Sequence, residues 1–125
     1  HSGLVIIACE NIEITGNSIY NNSSNGAEIT GYVEDIEITG NSILNNGAYG
    51  VYIQIGNDIT ITGNSILNSH WEGLRLGIIT TLSVTGNSII DSRNGVQVVG
   101  VTGGDIAGNS IIGSSQKGLL ISLPR

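Results

Sequence analysis

The sequence predicts an all-β solenoid of about five coils, each 22–24 residues long. Three observations carry that expectation. Gly-Asn-Ser-Ile recurs at Gly16, Gly40, Gly63, Gly86 and Gly108, at spacings of 24, 23, 23 and 22 residues. A period in this range belongs to repeats that bury their apolar faces only against neighbouring repeats. Between these markers apolar and polar residues alternate in twos, the pattern of a half-buried strand. Helix formers are scarce, Phe and Met are absent, and 19 glycines punctuate the chain, so no window reads as a long helix.

The second coil shows the elements in order. Ile36 and Ile38 alternate with Glu37 and Thr39, giving a strand with its isoleucines inward. Gly40-Asn41 breaks the alternation. Both residue types tolerate positive φ, so a sharp bend belongs there. Ile43 returns inside, and Asn45-Asn46-Gly47 makes the next bend. Gly50 then opens a second strand, in which Val51, Ile53 and Ile55 alternate with Tyr52 and Gln54.

Down the chain these positions form columns. Ile14, Ile38, Ile61, Val84 and Ile106 should stack inside, as should Ile19, Ile43, Ile66, Ile89 and Ile111. Two more inward columns are Leu4, Ala27, Val51, Leu74, Val96, Leu119 and Ile6, Ile29, Ile53, Leu76, Val98, Ile121. Stacked β-branched side chains suit a narrow core between pleated sheets. Asn17, Asn41, Asn64, Asn87 and Asn109 form an unbroken polar column. At about 4.8 Å per rung their amides can bond along the axis, so they are read as a ladder that satisfies backbone groups at the bend.

The stretch Val33-x-x-Ile36-x-Ile38-x-x-Asn41-x-Ile43 also fits a leucine-rich repeat, which continues with a helical segment. Here the remainder is Gly-apolar-x-apolar, as in Gly73-Leu74-Arg75-Leu76, which is another strand. The choice therefore falls on a β-helix. Residues 50–69, Gly-Val-Tyr-Ile-Gln-Ile-Gly-Asn-Asp-Ile-Thr-Ile-Thr-Gly-Asn-Ser-Ile-Leu-Asn-Ser, resemble the right-handed parallel β-helix repeat of pectate-lyase-like proteins, the NosD-like family, mannuronan C5-epimerases and phage tailspikes. The resemblance covers nearly the whole chain. It implies a right-handed single-stranded parallel β-helix over residues 1–125 as one domain, expected to be part of a longer protein. It also implies polysaccharide processing or binding, outside the cell, at its surface or in the periplasm.

Composition narrows the partners. The net charge is −6 and only Arg75, Arg93, Lys117 and Arg125 are basic, so no stripe exists to neutralise nucleic-acid phosphates. No apolar run reaches the roughly 18 residues that span a bilayer. One cysteine, Cys9, excludes an internal disulfide and reads as a small buried hydrophobe beside Ala8. Neighbouring coils or a homo-oligomer are the protein partners a solenoid would offer.

Catalytic motifs of the resembled enzymes do not transfer. The only proline is Pro124, so the epimerases' Asp-Pro-Lys-Asp is missing, and no Gly-His-Gly or paired Asp-Asp occurs. Copper-site maturation would have only His1, His70 and Cys9 as soft ligands. The sequence leaves open whether the domain is an enzyme; a lyase, an epimerase or a glycoside hydrolase would be the type. Two outward columns hold the candidates. In the first, Glu13 and Glu37 precede Thr60, Ser83 and Asp105. Carboxylates one rung apart raise one another's pKa and can serve as acid and base, or take Ca²⁺ with Asp35; the plainer reading is two solvated glutamates. No cofactor is expected. The second column is Val5, Glu28, Tyr52, Arg75, Gln97 and Leu120, with Tyr49, His70 and Trp71 in the bend before it. Aromatic faces stack on sugars and planar polar groups bond their hydroxyls. Tyr49, Tyr52, His70, Trp71, Arg75 and Gln97 are therefore the glycan-contact candidates, and Glu28 and Glu37 the acid–base candidates. The rival for the column is an ordinary sheet surface with a Glu28–Arg75 or Glu72–Arg75 ion pair of little energetic worth. The rival for the whole chain is a spacer or stalk with no activity of its own.

Overall fold

The structure, a computed structural model, describes residues 1–122. Five coils of parallel strands stack along one axis. The first holds β1 (Leu4–Ile7), β2 (Glu10–Thr15) and β3 (Ser18–Tyr20). In the second and third, the first two strands fuse: β4 (Ala27–Thr39) with β5 (Ser42–Leu44), then β6 (Val51–Thr62) with β7 (Ser65–Leu67). The fourth has β8 (Glu72–Ile79), β9 (Leu82–Thr85) and β10 (Ser88–Ile90). The fifth has β11 (Asn94–Val101), β12 (Gly104–Ala107) and β13 (Ser110–Ile112), and β14 (Lys117–Ile121) lies on β11. One face runs β1-β4-β6-β8-β11-β14. A second continues through β2, β4, β6, β9 and β12, and a third is β3-β5-β7-β10-β13.

Every expected column is in register. Ile14, Ile38, Ile61, Val84 and Ile106 pair rung to rung, as do Ile19, Ile43, Ile66, Ile89 and Ile111. The central isoleucines are fully buried, each contributing about 1.5–3 kcal/mol of apolar burial. The bends follow from residues that accept left-handed backbone. The glycine of each Gly-Asn-Ser-Ile has φ between +64° and +68°. The next corner uses Asn21, Asn45, Asn68 and Asp91, with φ from +55° to +58°. A third uses Asn11, Asp35 and Asp58, at +54° to +57°.

The asparagine column forms the expected ladder. Asn41 Nδ2 donates to Asn64 Oδ1 at 2.9 Å, Asn64 Nδ2 to Asn87 Oδ1 at 2.9 Å, and Asn87 Nδ2 to Asn109 Oδ1 at 2.9 Å. Each amide also reaches back to a core-strand carbonyl, as Asn64 Nδ2 does to Ile38 O at 2.8 Å.

Two expectations fail. Cys9 is exposed, not buried. Ala8 takes a φ of +51° and turns the chain outward, where Cys9 Sγ donates to Ile7 O at 3.2 Å. Ile55 does not continue the inward alternation. It pairs with Tyr32 and Ile78, which are 53% and 58% exposed, while Gly56 and its neighbours Val33 and Ile79 take the inside.

A second inward polar column was not foreseen. Asn22 Nδ2 donates to Asn46 Oδ1 at 3.0 Å, but the next three positions are Ser69, Ser92 and Ser114. The side-chain polar atoms Asn46 Nδ2, Ser69 Oγ, Ser92 Oγ and Ser114 Oγ are buried without a protein partner. The serines are too short to bridge one rung to the next. Ser69→Asn should supply a carbonyl to Asn46 Nδ2, because Gly50 leaves the same space beside residue 69 that Gly26 leaves beside Asn46. The expected gain is about 1 kcal/mol, read as a higher urea midpoint. An unchanged or lower midpoint would show that the serine column is not an interrupted ladder.

Candidate functional site

The outer surface of the first face is built by register. Val5, Glu28, Tyr52, Arg75, Gln97 and Leu120 stand one per rung, pointing away from the buried Leu-Val-Ile columns on either side. The corner before it adds to them. Trp71 N–H donates to Ala48 O at 3.0 Å and Arg93 N–H to Trp71 O at 2.7 Å, so these residues occupy successive rungs of one corner. Tyr49 joins corner to face. Its ring centroid lies 5.4 Å from that of Tyr52 at 32°, and 5.4 Å from that of Trp71 at 70°. Such separations are those of attractive ring pairs. The result is a three-ring platform with Arg75 and Arg93 alongside. Both guanidiniums, together with Glu72, fall within the electrostatic reach of the Tyr49 hydroxyl, whose pKa burial pushes above its ordinary value.

Beneath the platform lies a polar layer. Of the residues that precede the strand glycines, Asn25, Glu72 and Asn94 are buried, while Tyr49 in the same column carries the central ring. Asn25 Oδ1 accepts from Tyr49 N at 3.0 Å, fixing the backbone of the central ring. Asn94 Nδ2 donates to Glu72 Oε1 at 2.8 Å. Glu28 Oε1 accepts from Asn25 Nδ2 at 2.8 Å and from Ser2 Oγ at 3.0 Å. Neither the Glu28–Arg75 nor the Glu72–Arg75 ion pair forms. The two carboxylates are bonded to amides instead, and among the described residues both guanidiniums remain open to a ligand.

Of the sequence-derived candidates, Tyr49, Tyr52, Trp71 and Arg75 are brought together, with Gln97 one rung beyond Arg75. His70 is not with them. Its N–H donates to Asn46 O at 3.1 Å, and it lines a separate open groove of about 600 Å³ with Asn21, Asn45 and Asn68. His70 and Trp71 both lie in the bend before β8, and only Trp71 reaches the Tyr49 ring. The acid–base candidates Glu28 and Glu37 line no common cavity. Glu37 lies on the second face, in a groove of about 330 Å³ with Asn11, Glu13, Asp35, Asp58 and Thr60. Among the described residues no three His, Cys, Asp or Glu side chains converge to hold a metal ion, and no helix is long and apolar enough to cross a membrane.

Sequence reasoning missed Asn25, Glu72 and Asn94 as a supporting layer. Each directly precedes a first-face glycine, but so do Tyr49 and Lys117, so the position alone did not mark them.

These coils define a parallel β-solenoid with its polar equipment on outer surfaces. A family model described as the right handed beta helix region matches residues 1–123, and the chain belongs to that family. Comparison with curated proteins and with solved structures finds no match.

Proposed function

We propose that this β-helix is a carbohydrate-binding domain whose glycan lies on the Tyr49–Tyr52–Trp71 platform. It would act outside the cell, at its surface or in the periplasm, on a polysaccharide or an oligosaccharide. The observation that carries this reading is the contiguity of the three rings, with centroids 5.4 Å apart, on a rigid sheet beside two open guanidiniums. Pyranose rings stack on such faces through their C–H bonds, while Arg75, Arg93 and Gln97 supply directional polar contacts to ring substituents. A rigid sheet also spares the ligand the cost of ordering loops on binding. Chemistry on the bound glycan is no part of the proposal, because Glu28 is committed to Asn25 and Ser2 and Glu37 faces a different groove.

The test is calorimetric titration with neutral and uronate oligosaccharides. Wild type should bind at least one class, and Trp71→Ala and Tyr52→Ala should each weaken it about tenfold, the scale of one ring contact. His70→Ala should leave binding unchanged, because it faces the other groove. Absence of any glycan binding by wild type, or equal affinity in the Trp71 variant, would remove the reading and leave the spacer role.

A further inference from the structure

We propose that Asn21 is an acceptor for an N-linked oligosaccharide. Of all the asparagines, only Asn21 and Asn22 are followed two residues later by Ser or Thr, in the overlapping triplets Asn21-Asn22-Ser23 and Asn22-Ser23-Ser24. That triplet is the acceptor signature on surface loops of secreted chains.

The structure separates the two. Asn22 is half-buried, and its Nδ2 donates to Asn46 Oδ1 at 3.0 Å while its backbone N–H donates to the same oxygen at 3.2 Å. The amide is also hemmed in by Gly3, where a Cβ would lie only 2.5 Å from Nδ2. A sugar on that nitrogen would break the second ladder at its first rung. Asn21 is exposed and sits at a corner with φ of +56°. Its backbone is held by an N–H bond to Leu44 O at 3.0 Å, and among the described residues its side chain makes no hydrogen bond. It opens onto the groove of about 600 Å³ shared with Asn45, Asn68 and His70, a polar surface against which a first sugar can rest. Ser23, which completes the Asn21 triplet, lies on the same groove.

The transfer balances with a lipid-pyrophosphate-linked oligosaccharide as donor. Asn21 Nδ2 forms a bond to the anomeric carbon, the bond from that carbon to the phosphate oxygen breaks, the lipid pyrophosphate leaves with the electron pair, and one amide proton is released. This site is distinct from the aromatic platform and stands whether or not the platform binds glycans.

The overlap gives a clean test. The full chain is secreted from a eukaryotic host and treated with peptide-N-glycosidase. Wild type should show one glycosidase-sensitive band shift, with the oxygen label left by release located at residue 21 by mass spectrometry. Ser23→Ala destroys only the Asn21 triplet and should abolish the shift; Ser24→Ala destroys only the Asn22 triplet and should retain it. Asn21→Gln should behave as Ser23→Ala does, and unchanged circular dichroism shows that the variants fold. An unshifted wild type, or a shift that survives Ser23→Ala, overturns the proposal.

Discussion

Asn64→Ala should cost about 3–5 kcal/mol, on the scale of total stability for a domain of this size. Asn64 is 2% exposed and stands in the middle of the ladder. Its Oδ1 accepts from both the backbone N and the Nδ2 of Asn41 at 2.9 Å, and its Nδ2 donates to Ile38 O at 2.8 Å and to Asn87 Oδ1 at 2.9 Å. Alanine fills none of these roles. The Asn41 N–H and the Ile38 carbonyl lose partners in a place water does not reach, and each buried orphan costs about 1–3 kcal/mol. Asn64→Asp should be no milder: a carboxylate still accepts from Asn41 but turns acceptor oxygens toward Ile38 O and Asn87 Oδ1. Asn109→Ala removes a half-exposed member at the end of the ladder and should cost about 1 kcal/mol. Urea unfolding of the variants reads the difference. A loss at residue 64 of no more than about 1 kcal/mol would mean that the ladder is ornamental.

The same periodicity explains what the sequence could and could not disclose. A column is legible when one residue type fills it at every turn, because stacking makes each rung face the same surroundings. Isoleucine at 38, 61 and their equivalents, and asparagine at 41, 64 and 87, are such cases, and all lie where the spacing puts them. The Asn22–Asn46 column escaped because serine takes over at residue 69, although the backbone continues unchanged. Cys9 escaped for another reason. Asn, Asp and Gly announce positive φ, but Ala8 does not, and its φ of +51° reverses which side of the coil the next residue faces. Ile55 went astray where the face turns before Gly56: hydrophobicity alone could not say that the smaller residue goes inside.

The candidate site was half legible. Outward columns follow from alternation, which is why Glu28, Tyr52, Arg75 and Gln97 line up as expected. Corner side chains depend on local backbone direction, which alternation does not fix. Trp71 therefore meets Tyr49 while His70, one residue earlier, faces a different groove. The burial of Glu72 was the least readable step. A glutamate in an acidic chain reads as solvated surface, and only the Asn94 amide one rung away makes its burial tolerable.

Gly50→Ala should destabilise the protein by about 3 kcal/mol or more, whereas Gly63→Ala should cost only about 1–2 kcal/mol. The two glycines recur at fixed places in the repeat for opposite reasons. Gly63 has φ of +65° and nothing within 4 Å of a prospective Cβ, so alanine suffers only from the left-handed backbone. Asparagine tolerates that conformation, and Gly63→Asn should recover part of the loss. Gly50 has no such backbone requirement. A Cβ there would lie 2.6 Å from the Gly73 carbonyl oxygen and 2.6 Å from Ile66 Cγ2, with Ser69 Oγ at 2.9 Å. The carbonyl belongs to the next rung of the same sheet and Ile66 to the central core column, so neither can retreat without opening the stack. Gly26, Gly73 and Gly95 meet the equivalent contacts in their own coils. Residue 50 also adjoins Tyr49, whose ring spacing to Tyr52 and Trp71 depends on this rung staying level. Gly50→Ala should therefore lower glycan affinity along with stability, while Gly63→Ala, at a different corner of the coil, should leave affinity intact. Paired urea melts and calorimetric titrations decide it; a Gly50 variant as stable as the Gly63 variant would mean that the rungs can spread and that the platform is not held rigid by them.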